Sequence, residues 1–340
     1  MYSMDRLELI KRNTQEIISE AELRDLLKKK KKPSLYIGYA PTGRIHIGYL
    51  FPISKIVDFQ KAGLEVTVLT ADLHAYLDDM KSSWDKLKWR SEYYTKIIKA
   101  TVKALGGDPN KIKFVLGSTF QLKKEYFLPV LQMAVETTLA RCKRAAAEVV
   151  RFGNEPKLGG FMYPLFQTQD IVGLNADIAF GGIDQRGIYM LSREVLPQFG
   201  RKKPICIFTP LLPGLTGGKM SASIPESKID LLDEEAILKK KVGKAFCPAK
   251  QVEGNGVLAF FQAVIFPVLE RKNKTLIIKR PEKFGGNLEF KTYNELENAY
   301  KKGLHPMDLK GAFSEFLIET LNPIRKDFSK QKVLLKKAYS

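Results

Sequence analysis

Four short stretches of the chain carry residue types suited to holding a nucleotide beside a small polar molecule. The first runs from Tyr36 to Tyr49. Side chains alternate along a strand, so Tyr36, Gly38 and Ala40 share one face. The two small residues leave room there, and a tyrosine hydroxyl borders it. Beyond the turn Pro41-Thr42-Gly43, a helix starting near His46 offers free N–H groups to an anion. His46 can hydrogen-bond a phosphate, and Gly48 lets a flat base approach. A capping histidine is the plainer alternative.

The second stretch, Gly217 to Ser223, sets Lys219 among small residues. A flexible loop of this kind can bring an ammonium to a leaving pyrophosphate as charge develops, which favours the transition state. Taken alone, such a composition more often means a linker. In the third, Tyr163, Gln167 and Asp170 fall on one helical face, lining either a polar pocket or the surface. In the fourth, Gly181 to Arg186, glycines permit a tight strand-to-helix turn. Asp184 is placed there to bind ribose hydroxyls or simply to open a helix. His74, close to Asp72, reads as a helix cap no less than as a site group.

The elements around these stretches alternate. Residues 5–32 read as helical, with Ser19 and Glu22 as a capping box and Lys28 to Lys32 as a basic run that is either a solvated helix end or a nucleic-acid contact. Strands are expected at Leu35–Tyr39, Glu65–Leu69, Lys113–Leu116, Asp177–Phe180 and, last, Ile205–Thr209. Helices are expected at Ile45–Ala62, Trp84–Leu105, Leu122–Leu139, Ala140–Arg151, Tyr163–Gly173 and Ile183–Leu196. This βαβ order implies an α/β protein with a parallel sheet. Pro213 to Ile229 reads as a long loop, and the remainder as mainly helical. The domain boundary is placed near residue 230, Trp84 and Trp89 are placed in the core, and residues 326–340 form a tail or a last helix.

The chain has 340 residues, and 56 Lys and Arg against 37 Asp and Glu give a net charge of +19. An excess of that size favours a polyanionic partner. The 44% hydrophobic composition is ample for a core and argues against general disorder. Cys142, Cys206 and Cys247 are widely spaced, which supports neither a disulfide framework nor a zinc site and suits a reducing compartment. The charged N-terminal stretch does not resemble a secretion signal, and no segment is apolar enough to span a bilayer. A cytoplasmic protein is expected.

Together, in this order, His46 to Tyr49 and Lys219 to Ser223 resemble the two signatures of class I aminoacyl-tRNA synthetases. Tyr163 to Asp170 and Gly181 to Arg186 are similar to the tyrosyl enzymes of the archaeal and eukaryotic branch. The resemblance runs nearly end to end, through Leu304 to Lys310. It implies a Rossmann-type parallel-sheet catalytic domain over residues 1–230, with a helical dimerisation insertion at about 118–162. A helical tRNA anticodon-binding domain would follow over 231–340.

By resemblance, Tyr36 and Asp170 bind the phenol of L-tyrosine, Tyr163, Gln167 and Gln185 hold its ammonium, and Gly38 and Ala71 complete its pocket. His46, Gly48, Gly182, Asp184, Lys219, Met220, Ser221 and Ser223 fall on the ATP site, with His46, Gly48 and Lys219 in the catalytic signatures. Arg144 and Arg186 match positions at the acceptor stem of tRNA(Tyr). Phe284, His305 and Asp308 match positions at its anticodon. A homodimer is implied, with Mg²⁺ held mainly by the ATP phosphates and no protein-bound metal. Tyr49 stands where the first signature often ends in histidine, Ala40 where many archaeal members have an acid, and Ala222 is a mild variant. A tryptophanyl enzyme and a non-catalytic RNA-binding relative are the rival readings. The polar set Tyr36, Gln167, Asp170 and Gln185 counts against the first, and His46, Gly48 and Lys219 count against the second.

Overall fold

The computed structural model describes residues 5–78, 82–215 and 228–339. Lys219, Met220, Ser221 and Ser223 lie outside the described residues, as does most of the expected loop. Strands β1 (Glu16–Ile18), β2 (Ser34–Tyr39), β3 (Glu65–Thr70), β4 (Ile112–Leu116), β5 (Ile178–Gly182) and β6 (Ile205–Thr209) form one sheet in the order β1-β6-β5-β2-β3-β4. All neighbours are parallel except β1 against β6. Every residue of β6 is buried. Its apolar, β-branched run is what a strand covered on both faces requires.

The order fixes where a ligand can sit. From β2 the chain steps outward to β3 and β4, whereas β5 lies on β2's other side and leads to β6. Crossovers therefore diverge between β2 and β5. Their carboxyl ends open a crevice, because no connection closes over it.

Several expectations are corrected. Residues 5–32 are not one helix: Arg6–Lys11 and Glu20–Lys29 are helical, with β1 between them. The open edge of β6 recruits the Ile17–Ile18 pair, and Gln15 N–H donates to the Phe208 carbonyl at 2.8 Å. The Ser19–Glu22 capping box is present. Ile205–Thr209 is not the last strand, since β7 (Leu276–Ile278) and β8 (Leu288–Phe290) form a separate antiparallel hairpin. Trp84 is exposed, edge-on to Tyr76, rather than in the core. Trp89 is partly buried under Lys337, whose ammonium is 4.1 Å from the ring centre. The C-terminal stretch continues one helix to Ser329 and adds another, Lys332–Tyr339.

One apolar core passes through both halves of the chain, from Ile37, Phe59 and Ile97 to Phe261, Phe313 and Ile324. A buried charge cluster ties the same parts together. Asp58, on the helix Leu50–Lys61, accepts from Arg12 and from Arg271, the latter at 2.7 Å. Lys55, on the same helix, donates to the carbonyls of Leu9, Ile10 and Arg12 at 3.1, 2.9 and 2.7 Å. No described helix is long and apolar enough to cross a membrane.

Candidate active site

A cavity of about 430 Å³ occupies the crevice at the carboxyl ends of β2 and β5. Among its lining residues are Tyr36, Gly38, Ala71, Tyr163, Gln167, Asp170 and Gln185, together with His46, Gly48, Gly182 and Asp184. Every expected amino-acid and nucleotide residue that lies within the described segments is therefore gathered in one space. The tRNA positions lie outside it.

Asp170 forms one end of the space. Its helix, Leu158–Gly173, turns Tyr163, Gln167 and Asp170 inward, so all three are buried and none is a surface residue. One carboxylate oxygen, Oδ1, accepts from Gln121 Nε2 at 2.7 Å and, at 2.8 Å, shares the single proton of the Tyr126 hydroxyl with the Phe166 carbonyl, which lies 2.6 Å from that hydroxyl. These partners are neutral. Burial without a countercharge pushes the Asp170 carboxyl up to about 7. Tyr36 is also buried, and its hydroxyl donates to the Gln167 carbonyl at 3.4 Å. Burial raises its phenol well above the ordinary value, so it remains a neutral donor. Gln167 Nε2 donates to Gln185 Oε1 at 3.0 Å and links the helix to the β5 turn.

The other end is built from backbone turns. His46 caps the short 3-10 helix Ile47–Tyr49, its Nδ1 accepting from Gly48 N–H at 3.2 Å. One N–H expected to be free for an anion is thus bonded within the signature. Accepting at Nδ1 leaves the imidazole proton on Nε2. Burial, with a smaller contribution from Lys228, holds His46 down at about 4, so it is neutral at pH 7. A Cβ at Gly182 would lie 2.5 Å from Asp184 Oδ1, so glycine here leaves the Asp184 carboxylate in its place.

The turn before His46 is braced from several sides. Tyr94 and Tyr339 hydroxyls donate to the Gly43 carbonyl at 2.7 and 2.9 Å, and Ile45 N–H donates to the Tyr93 hydroxyl at 3.1 Å. Leu231 N–H donates to Ile45 and Ile47 N–H to Ile229, at 3.2 and 2.9 Å. Leu211 and Leu212 line the cavity. The chain thus enters and leaves the segment that contains Lys219 beside the cavity.

Sequence reasoning left His74 open between a helix cap and a site group, and missed Gln121, Tyr126 and Tyr189. His74 is no cap: it lies inside the helix Asp72–Leu77, buried against Tyr163 with ring centres 4.6 Å apart. Tyr189 lines the cavity, and its spacing of four from Gln185 was a usable signal. Gln121 and Tyr126 lie on helices between β4 and β5 and had no local signal.

Arg144 is exposed on the helix Leu139–Ala146, and Arg186 pairs with Glu16 at 2.7 Å. In the second half, Phe284 is 57% exposed in the β7–β8 loop with Lys283 over its ring. Arg280 pairs with Asp308 at 3.4 Å, which holds that loop near the start of the helix Pro306–Ser329. His305 is exposed at this helix N-cap, with Nδ1 accepting from Met307 N–H at 3.2 Å.

Residues 28–322 match the family described as tRNA synthetases class I (W and Y). The chain belongs to the class I tRNA synthetases. It is 49% identical to a tyrosine–tRNA ligase of Haloarcula marismortui, over 100% of this chain and 98% of that protein. The solved tyrosyl-tRNA synthetase of Archaeoglobus fulgidus, complexed with L-tyrosine, superposes with a TM-score of 0.88. It is 42% identical, with 94% of this chain and 98% of that one covered. A tryptophanyl-tRNA synthetase of Aeropyrum pernix K1 gives a TM-score of 0.69 at 19% identity, over 94% and 84% of the two chains. That second likeness is one of fold alone.

Proposed function

We propose that this class I synthetase is a tyrosine–tRNA ligase, activating L-tyrosine with ATP and transferring it to tRNA(Tyr). One observation carries the reading: a buried hydroxyl and a buried carboxylate, Tyr36 and Asp170, line the same cavity. A phenol placed there donates to Asp170 Oδ2 and accepts from Tyr36. Phenylalanine would leave Asp170 Oδ2 without a donor in a dry site, and Tyr36 with only its 3.4 Å contact to the Gln167 carbonyl, which is unfavourable. An indole has no acceptor for the Tyr36 hydroxyl. The tyrosine ammonium would be held by Tyr163, Gln167 and Gln185.

The substrate's carboxylate then extends toward His46 and Asp184. Attack on the α-phosphorus of ATP expels pyrophosphate and gives tyrosyl-adenylate, with no covalent enzyme intermediate. Catalysis is positioning and charge stabilisation. Neutral His46 donates from Nε2 to phosphate oxygen, Gly48 lies under the adenine, Asp184 holds the ribose beside Gly182, and Lys219, with Met220, Ser221 and Ser223, supplies charge to the leaving pyrophosphate. Mg²⁺, which favours phosphate oxygens, would enter with ATP. The terminal adenosine of the tRNA then takes the tyrosyl group.

The same reading gives residues 231–340 the anticodon, through exposed Phe284 with His305 and Asp308, and gives Arg144 and Arg186 the acceptor stem. It also makes the chain a homodimer. Phe127, Leu128, Leu131 and Val135 are exposed on one side of the helix Lys124–Glu136, and a second copy would cover them. ATP–pyrophosphate exchange with tyrosine, tryptophan or no amino acid tests the central claim. Exchange must depend on tyrosine; equal exchange with tryptophan, or none with either, refutes it.

A further inference from the structure

His74 is buried at the Asp170 end of the cavity, and its Nε2 has no hydrogen-bond partner. That nitrogen lies 3.6 Å from Asp170 Oδ2. The other ring nitrogen, Nδ1, faces Gln121 Nε2 at 3.5 Å. An amide nitrogen has two protons. Gln121 gives one to Asp170 Oδ1 at 2.7 Å, and the second can meet His74 only if Nδ1 is an acceptor. The imidazole proton then sits on Nε2, aimed at Oδ2. Burial holds His74 far down, at about 3, so it is neutral and no counter-ion. Tyr163 and Phe166 pack edge-on to the ring, with centres 4.6 and 6.4 Å away, and fix its direction.

We infer that His74 is a specificity-determining positioning residue, whose Nε2–H keeps Asp170 Oδ2 turned to the cavity as an ionised acceptor for the substrate's phenol proton. The inference rests on the tyrosine reading above. Oδ1 is already occupied by Gln121 and Tyr126, so Oδ2 is the oxygen left for a ligand. At 3.6 Å the His74 contact is looser than a hydrogen bond. It can tighten once the phenol excludes water. A donor to the charged form lowers a carboxyl's pKa, so removing the donor must raise it.

The other ionisable groups around Asp170 do not supply this donor. Asp72, on the helix of His74, is a like charge that pushes Asp170 up. Tyr126 acts on Oδ1. Burial keeps Tyr36 on β2, Tyr163 on Asp170's own helix and Tyr189 on the helix Arg186–Val195 neutral; Tyr36 donates to the Gln167 carbonyl and Tyr189 to the Phe180 carbonyl.

The test follows tyrosine-dependent ATP–pyrophosphate exchange from about pH 5.5 to about pH 9. His74→Phe keeps a ring and removes the donor, whereas His74→Gln puts an N–H at similar reach. His74→Phe should move the acid limb of kcat/KM for tyrosine upward by about one pH unit and raise tyrosine KM about tenfold below neutrality. His74→Gln should return both toward the wild type. Activation of phenylalanine, which brings no phenol, should change less than about twofold. His74→Leu serves as the donor-free variant if the larger ring prevents folding. Coincident acid limbs, or equal losses for tyrosine and phenylalanine, would reduce His74 to packing and overturn the inference. Absence of tyrosine-dependent exchange in the wild type would overturn the proposed function itself.

Discussion

Asp58 and Asp170 are each about 1% exposed, yet they are surrounded in opposite ways. Asp58 faces cations: Arg12, Arg271 at 2.7 Å and Lys55 at 4.0 Å. Asp170 faces neutral donors on one oxygen and open cavity beyond the other. The first carboxylate is closed off, its charge balanced within the fold. The second is an acceptor held ready, its free oxygen left for a ligand's donor. A buried acid therefore marks a binding site when its partners are neutral and its coordination unfinished.

The largest effect should come from breaking the closed cluster. Asp58→Asn leaves Arg271 and Lys55 without their carboxylate in a dry core, and Arg12 with Glu270 alone. Loss of one partner from a buried charge cluster costs about 3–5 kcal/mol. Chemical denaturation should show that loss, while the folded fraction keeps its KM for tyrosine. A change in tyrosine KM without lost stability would erase the distinction.

Asp170→Asn should behave the other way round. It removes an uncompensated buried charge and keeps the shape, so stability should hold or rise. The amide presents the wrong group to the phenol, and tyrosine activation should fall by roughly 100-fold, as for loss of a charged hydrogen bond worth about 3 kcal/mol. Comparison of kcat/KM for tyrosine and phenylalanine should show discrimination falling with it.

Acid should then separate folding from binding at the same residue. Asp170 has its folded value raised to about 7 from an ordinary 3.8. Between those values the folded state holds a proton that the unfolded chain has released. Its contribution to stability is therefore fully favourable at low pH and is lost as pH rises toward 7, by at most about 1.4 kcal/mol per unit. Tyrosine binding needs the ionised form and should strengthen over the same range. Stability of the wild type relative to Asp170→Asn, measured from about pH 4 to about pH 8, should fall as tyrosine affinity climbs. Curves that rise together would contradict this account of the pocket.

These two aspartates also show what the sequence makes legible. Long buried strands such as β3 and β6 announce themselves by β-branched runs. β1, β7 and β8, with three residues each, are too short for any period to register. Tyr163, Gln167 and Asp170 were readable because helical spacing places them together. The partners of Asp170 were not: Gln121 and Tyr126 stand 49 and 44 positions away, so only the fold brings them near. Asp58 gave no sign at all, since Arg12 and Arg271 approach it from opposite ends of the chain.

The finest comparison removes one hydroxyl from each cluster. Tyr126→Phe takes from Asp170 a donor at 2.8 Å that it shares with the Phe166 carbonyl, and Ser54→Ala takes a 2.7 Å acceptor from Arg271. Each deletion should change stability by about 1 kcal/mol. Only Tyr126→Phe should also disturb the substrate, because a carboxylate short of one donor ionises less readily and shifts the acid limb of tyrosine binding upward. Ser54→Ala should leave that limb in place, since Arg271 keeps its bond to Asp58 and the cluster never meets the cavity. Titration of tyrosine affinity in the two variants decides the matter: limbs displaced by the same amount would mean that both clusters act through general loosening of the fold, and that neutral partners confer no special role on Asp170.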